Sequence, residues 1–182
     1  MSAVEKVRQR LLRAAAALRQ AGVPYAVVGG NAVALWVSRV DEAAVRSTQD
    51  VDVLVRRSDF DAARSALERA GFIDGHAAGV EMFLDGPGAK LLDSVRVVFA
   101  NEKVRPHEPL ANPDVNEAEE TDRFRVISLE ALVRIKLTAF RDKDRTHLRD
   151  LIDVGLLGAD WLPNLPPLLA DRLRQLLATP EG

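Results

Sequence analysis

The sequence contains no cysteine, and this absence excludes several kinds of site at once. Disulfide bonds, thiol chemistry and cysteine-based zinc sites are ruled out, and the composition fits a reducing cytoplasm. The net charge of −2 argues against a protein that binds polyanions without specificity, although a local basic patch is compatible with it. Residues 1–20 carry charges throughout and no long apolar run, so we expect neither a signal peptide nor a membrane span.

The hydrophobic pattern predicts a mixture of helices and strands. The chain has 182 residues, enough for one domain with a core, or for one domain with a small appendage. Residues 3–21 repeat apolar side chains at helical spacing, and Ser58 is a candidate N-cap for a second helix that ends at Gly71. Four short apolar runs are typical of strands: residues 25–30, 51–55, 80–84 and 93–100.

The composition changes after about residue 104. Residues 101–124 are polar, become acidic and carry three prolines, which is typical of a loop or linker. Three helical patterns follow, over residues 127–140, 144–155 and 165–178. We therefore expect an α/β core over residues 1–104, a linker over 105–126 and a helical region over 127–182 that packs on the core.

Asp50 lies directly before the apolar segment VDVLV (51–55), and Asp52 lies within it. In an extended strand their side chains share a face and lie roughly 6.5–7 Å apart. Two such carboxylates suit Mg²⁺, and a pair of ions about 3.5–4 Å apart would activate an attacking oxygen and stabilise a leaving one. The alternative is a strand edge whose acids are solvated or paired with Arg46, Arg56 or Arg57.

Gly29 and Gly30 end the first strand and precede the helical segment NAVALWV. Glycine lets the backbone approach a phosphate closely, and a helix N-terminus offers free N–H groups with partial positive charge. A phosphate seat is one interpretation, and an ordinary strand-to-helix turn is the other. The aspartate strand that follows favours the first.

Taken together, Gly29-Gly30, a helix and then Arg46-Ser47-Thr48-x-Asp50-x-Asp52 resemble the signature of the DNA polymerase β-like nucleotidyltransferase superfamily. The nearer likeness is to its small prokaryotic AbiEii-type and MNT-type members, which are associated with toxin–antitoxin and phage-defence systems. The resemblance implies an α+β fold: a mixed sheet with flanking helices, plus a C-terminal helical part.

The same resemblance implies the reaction and its participants. An NMP would move from an NTP to a hydroxyl of tRNA, a protein or a small molecule, with Mg²⁺ or Mn²⁺ as cofactor and with a cognate toxin or antitoxin as a possible partner. Asp50 and Asp52 would bind the metal. The nucleotide and its phosphates would contact Gly29, Gly30, Asn31, Arg46, Ser47 and Thr48.

The resemblance also implies a third carboxylate on an adjacent strand, where it helps to deprotonate the acceptor. The expected segment, KLLDSVRVVFA, offers only Asp93, at its beginning. If the centre of the strand is aligned instead, the position holds Arg96, which cannot act as a base. Loss of the third acid would leave an inactive nucleotide-binding module, or an antitoxin-like module that binds another chain.

The C-terminal helices add four candidates. Lys136 lies on an apolar stripe, where it either extends to the edge or reaches into a site. The resemblance implies that a lysine in this region touches the phosphates. Lys143, His147 and Asp150 share a helical face, and Lys143 and Asp150 are possible supporting residues, although charged faces are more often solvated or salt-bridged. The three histidines are too scattered to predict a zinc site.

Overall fold

The structure is a computed structural model and describes residues 1–181. Its seven strands are β1 (Tyr25–Val28), β2 (Val51–Val55), β3 (Ile73–Ala77), β4 (Val80–Leu84), β5 (Ser94–Phe99), β6 (Ala118–Glu120) and β7 (Arg125–Ile127). They form one mixed sheet in the order β3–β4–β5–β2–β1–β7–β6. In its centre, β2 is antiparallel to β1 and parallel to β5, while β1 is parallel to β7.

Six α-helices flank the sheet: α1 (Ala3–Gln20), α2 (Gly29–Ser38), α3 (Phe60–Arg69), α4 (Leu129–Ala139), α5 (Asp142–Asp153) and α6 (Pro167–Ala178). Helices α1 and α3 pack against each other, and α1 also contacts the central strands. Helices α2, α4 and α5 form a second group, which α2 joins to β1 and β2. None of the described helices combines the length and apolar composition needed to cross a bilayer.

The hydrophobic core is continuous from the N-terminal to the C-terminal helices. Leu18 of α1, Leu54 of β2 and Leu132 of α4 have no exposed surface and belong to one cluster. Burying such leucines contributes about 1.5–3 kcal/mol each to folding. The predicted α+β architecture, a mixed sheet with flanking helices and a C-terminal helical part, is confirmed.

Two local predictions were wrong, and one strand was missed. Residues 101–124 were expected to be a loop, but they include β6, and β7 follows directly and pairs with β1. Strand β3 was not anticipated, and Ser58 lies inside a 3₁₀ turn before α3 rather than at its N-cap. The segments β3 and β6 lack apolar alternation, so periodicity gave no signal for them. The division of the chain at residues 104 and 126 stays a prediction.

Candidate active site

The turn from β1 into α2 is shaped by the side chain of Asp52. Antiparallel pairing sets Val28 opposite Asp52, so the carboxylate lies beside the first residue of α2. Gly29 has φ +69°, a left-handed conformation that favours glycine, and a Cβ there would overlap Oδ2 of Asp52. Gly29 is therefore required so that the Asp52 carboxylate can lie against the start of α2.

The neighbouring residues fix the position of Asp50. A Cβ on Gly30 would lie 2.8 Å from Oγ1 of Thr48, so this glycine makes room for the threonine. Thr48 Oγ1 accepts a hydrogen bond of 3.2 Å from the Asp50 backbone N–H, and Asn31 Nδ2 donates one of 2.7 Å to the Asp50 carbonyl. These three residues hold the backbone from which the Asp50 carboxylate projects.

Arg96 bridges Asp50 and Asp52, and Lys143 is a second cation beside Asp50; we call these four residues the cleft cluster. Arg96 Nε lies 2.7 Å from Asp52 Oδ1, and Arg96 Nη2 lies 3.0 Å from Asp50 Oδ2. Lys143 Nζ also contacts Asp50 Oδ2. Burial alone raises the pKa of Asp50, but the hydrogen bond from Lys143 and the charge of Arg96 outweigh burial and leave this pKa below its ordinary value.

A cavity of about 420 Å³ opens beside the cleft cluster. One wall is the segment from Arg46 to Asp50, and the other is the first half of α5 with Leu92 nearby. Its lining residues are Arg46, Ser47, Thr48, Gln49, Asp50, Leu92, Lys143, Thr146 and His147. Five residues predicted from the sequence therefore line one cavity: Arg46, Ser47, Thr48, Asp50 and Lys143.

His147 is a functional candidate that the sequence pattern undervalued. Its side chain lines the cavity, is buried, and has an Nδ1 atom with no hydrogen-bond partner among the described residues. Burial, followed by the charges of Lys136 and Lys143, lowers the pKa of His147 to about 4. The imidazole is therefore neutral at pH 7. Its spacing of four residues from Lys143 on a helix was the one signal available.

Arg46 and Asp150 connect the two walls of the cavity. The guanidinium donates from Nε at 2.9 Å and from Nη2 at 3.1 Å to the two oxygens of Asp150 on α5. Bidentate pairs of this kind fix the relative orientation of both groups. Asp150 thus holds the segment that precedes Asp50 by a salt bridge, which is a common role for a charged residue on a helix face.

Lys136 belongs to a second group, which we call the buried cluster: Lys136, Asp144 and Arg141. Lys136 Nζ lies 3.0 Å from Asp144 Oδ1, and Arg141 Nε lies 2.8 Å from Asp144 Oδ2. Desolvation lowers the pKa of Lys136 despite the opposing charge of Asp144. Lys136 does not line the cavity, and its ammonium is bound by Asp144, so the structure does not bring it to the other predicted phosphate ligands.

Asp93, the predicted third carboxylate, is also placed elsewhere. It precedes β5, and its Oδ1 lies 3.1 Å from Nη2 of Arg10 on α1. The position of β5 in register with Asp52 is Arg96. A guanidinium therefore stands beside Asp52 on the strand where the resemblance implies an acid, while Asp93 is paired with Arg10; the catalytic role of Asp93 stays a prediction. Register could not be read from the sequence, because both alignments are compatible with it.

The donor set does not fit a resident metal ion held by both aspartates. Both oxygens of Asp52 and Oδ2 of Asp50 already accept hydrogen bonds from Arg96 or Lys143. Within residues 1–181, no group of three or more histidine, aspartate or glutamate side chains is arranged to hold a metal. A site of two ions needs uncommitted carboxylate oxygens.

Comparisons with known proteins agree with the fold and identify a family. The sequence model of a family described as uncharacterised nucleotidyltransferases matches residues 2–161. No curated protein matches the chain significantly.

Among solved structures, the chain is similar to an antigenic nucleotidyltransferase-like protein from Paracoccidioides brasiliensis, with 20% identity, TM-score 0.61 and coverage of 96% of this chain and 88% of that one. It is also similar to the antibiotic-resistance factor ANT(2'')-Ia in complex with adenylyl-2''-tobramycin, with 16% identity, TM-score 0.58 and coverage of 93% and 96%. At these identities the likeness concerns the fold.

Proposed function

The chain belongs to the family of uncharacterised nucleotidyltransferases, and we propose that it transfers an NMP from an NTP to a hydroxyl acceptor in the cavity beside Asp50. The observation that carries this proposal is the composition of that cavity. Cationic Arg46 and Lys143, hydroxyl-bearing Ser47 and Thr48, and the carboxylate of Asp50 line one space of about 420 Å³. Such a set can bind phosphates and orient an attacking hydroxyl.

The triphosphate has suitable partners in this cavity. Lys143 and Arg46 have side chains that are 49% and 58% exposed, so a ligand can reach both. The N-terminus of α2 begins at Gly29 beside Asp52 and does not line this cavity, so the cations of Arg46 and Lys143 are its positive charges. We assign Ser47, Thr48 and Arg46 to the phosphates together with Lys143, as the resemblance of this segment implies.

The proposed reaction is an in-line displacement at the α-phosphorus. An oxygen of the acceptor forms a new bond to phosphorus, the bond between the α-phosphorus and the bridging oxygen breaks, and pyrophosphate leaves. The proton of the hydroxyl passes to the neutral imidazole of His147, the cavity-lining base that takes the place of the missing third acid. Positioning and charge neutralisation supply most of the rate enhancement.

The Mg²⁺ or Mn²⁺ implied by the resemblance stays a prediction, and we route no step through it because the donor set above does not fit a resident ion. The acceptor class is also proposed. A small-molecule hydroxyl is the first class to test, because the similar ANT(2'')-Ia structure holds adenylyl-2''-tobramycin. The net charge of −2 does not favour binding of long RNA. A cytoplasmic location, suggested by the lack of cysteine, belongs to the same proposal.

Transfer of label from the α-phosphate tests the proposal. The full chain is incubated with each NTP radiolabelled at the α-phosphate, with Mg²⁺, Mn²⁺ or EDTA, and with aminoglycosides, tRNA or cell lysate as acceptor. We expect a labelled product with α-label and none with γ-label, because pyrophosphate departs. Asp50→Asn should lower the rate by about 100-fold or more, since it removes a charge that positions Lys143 and the reacting groups.

A second function is favoured by one observation, the guanidinium of Arg96 at the expected position of the third acid. A module that binds nucleotide or a partner chain without transfer would need no base there. It would bind NTP in the same cavity and yield no labelled product with any acceptor. A toxin–antitoxin role would be supported if the product of a neighbouring gene co-eluted with this chain.

A further inference from the structure

The cleft cluster has a charge balance that is complete without any metal. Asp50 and Asp52 contribute two negative charges, and Arg96 and Lys143 contribute two positive ones. Arg96 holds Asp52 from two nitrogens, Nε at 2.7 Å and Nη2 at 3.2 Å, and shares Nη2 with Asp50 at 3.0 Å. Three of the four carboxylate oxygens therefore already accept a hydrogen bond from a cation.

The location of Arg96 makes this arrangement part of the fold. Strands β2 and β5 are parallel neighbours, and their register sets Arg96 directly beside Asp52. Asp52 is fixed on its other side by Gly29 and the start of α2. Burial lowers the pKa of Arg96, but the two carboxylates outweigh burial and keep it above its ordinary value, so the guanidinium stays charged. The Asp52 carboxylate is thus held between Arg96 on one side and the start of α2 on the other.

A free divalent cation would have to remove these donors before it could bind. It would break the hydrogen bonds to Asp52 and would then lie within a few ångströms of two positive charges that repel it. Mg²⁺ also demands near-octahedral oxygen ligands, of which one or two are protein carboxylates. Loss of the hydrogen bonds and electrostatic repulsion both weaken the binding of a free divalent cation.

We propose that Arg96 and Lys143 are the resident counter-ions of the Asp50–Asp52 pair and exclude free divalent cations from it. The resemblance predicts a metal site at these two residues, and the structure assigns the same residues to an internal salt-bridge cluster. The inference concerns the site of the proposed function, but it is read out by metal binding alone. It therefore stands or fails independently of nucleotidyl transfer.

Titration of the full chain with Mn²⁺, in the absence of nucleotide, tests the inference. The free ion is followed by electron paramagnetic resonance in the wild type, Arg96→Gln and Arg96→Asp. We expect Arg96→Gln to bind Mn²⁺ about tenfold or more tightly than the wild type, because one positive charge is removed. Arg96→Asp, which supplies the third carboxylate, should bind more tightly still.

Two controls locate the effect and guard against misfolding. Arg57→Gln removes an arginine that holds Glu102 in an equivalent two-nitrogen pair at 2.8 Å, away from the cleft cluster, and should leave Mn²⁺ binding unchanged. Adding Asp50→Asn to Arg96→Asp should abolish the gain. Circular dichroism checks that each variant is folded. If Arg96→Asp does not fold, the Mn²⁺ affinity of Arg96→Gln alone tests the inference. Equal Mn²⁺ affinity in the wild type and the folded Arg96 variants, whether tight or weak, would overturn the inference.

Discussion

The cleft cluster and the buried cluster use the same kinds of ion pair in two different environments. In the buried cluster, the side chains of Lys136 and Asp144 are 6% and 1% exposed. In the cleft cluster, the side chains of Arg96 and Lys143 are 37% and 49% exposed, and Lys143 lines the cavity. A phosphate in the cavity can therefore reach Lys143 but not Lys136. Access to a ligand, rather than the kind of side chain, therefore distinguishes the two clusters.

Helix α5 carries parts of both clusters. Asp144 points inward to Lys136, while Lys143, one residue earlier, reaches Asp50. The clusters also sense each other electrostatically, since Asp52 acts to raise the pKa of Lys136 and Arg96 acts to lower that of Arg141. We therefore expect the rigidity of the buried cluster to fix the position of Lys143 in the cleft.

The largest expected effect comes from breaking the buried cluster. Asp144→Asn leaves the buried ammonium of Lys136 without its counter-charge, so the free energy of unfolding should fall by about 3–5 kcal/mol. Urea denaturation at pH 7 measures it. The matched control is Asp171→Asn, which removes a 70% exposed carboxylate paired with Arg174 and should cost about 0.5 kcal/mol or less. Equal losses in the two variants would contradict a structural role for the buried cluster.

His147, which lies between the two clusters, should give the chain a pH-dependent stability. Its pKa is about 4 in the folded chain and about 6.5 when unfolded, so the unfolded chain takes up the proton first as the pH falls. The contribution is complete above pH 6.5 and is lost progressively toward pH 4, by roughly 3 kcal/mol in total.

Urea denaturation between pH 7 and pH 4 checks this pH dependence. His147→Gln should flatten the decline, whereas His76→Gln, at an imidazole that is 59% exposed, should retain it. An unchanged slope in His147→Gln would show that the imidazole is not held neutral by its surroundings.

Gly29→Ala tests the contact between the start of α2 and Asp52 of the cleft cluster. Because φ is +69° and the new Cβ would overlap Asp52 Oδ2, we expect a loss of about 1–3 kcal/mol in the free energy of unfolding. Gly22→Ala is the matched control, with the same φ of +69° and no atom within 4 Å of the added Cβ. Chemical denaturation measures the loss in free energy of unfolding for both variants, and the difference isolates the contact with Asp52. Equal losses would show that this contact does not constrain residue 29.

Lys143→Gln should have the smallest effect on stability and a clear one on binding. The lysine is half exposed, so the free energy of unfolding should change by about 1 kcal/mol or less. Loss of a charged phosphate ligand should weaken NTP binding about tenfold, as measured by calorimetry. Lys6→Gln, an exposed change on α1, serves as the reference. If both variants bind NTP equally well, Lys143 does not contact the phosphates.

Elements with strong periodicity were predictable from the sequence. The apolar runs of β1, β2, β4 and β5 and the helical stripes of α1, α4, α5 and α6 lie within a few residues of their predicted bounds. The short strands β3 and β6 were not predicted, because they are half-exposed segments without apolar alternation. Their pairing depends on neighbours that are distant along the chain.

In the site, the sequence indicated residues but not their partners. The segment from Arg46 to Asp52 was recognisable from its spacing, and Asp50 and Lys143 do line one cavity. The pairing of Asp52 with Arg96 depends on the register between β2 and β5, which local sequence does not specify. The burial of Lys136 and His147 depends on how α4 and α5 pack, so an apolar stripe alone could not distinguish a phosphate ligand from a partner of Asp144.

A nucleotide footprint tests most directly the claim that the cavity beside the cleft cluster is the nucleotide site. Backbone amide signals of the isotope-labelled chain are followed by nuclear magnetic resonance during titration with ATP or GTP. A second cavity, of about 370 Å³ between α1 and α3 and lined mainly by alanines with Arg13 and Arg69, is the internal reference. We expect shifts confined to residues 29–31, 46–52 and 143–147, whereas shifts centred on the α1–α3 cavity, or none at all, would show that nucleotide does not bind beside the cleft cluster.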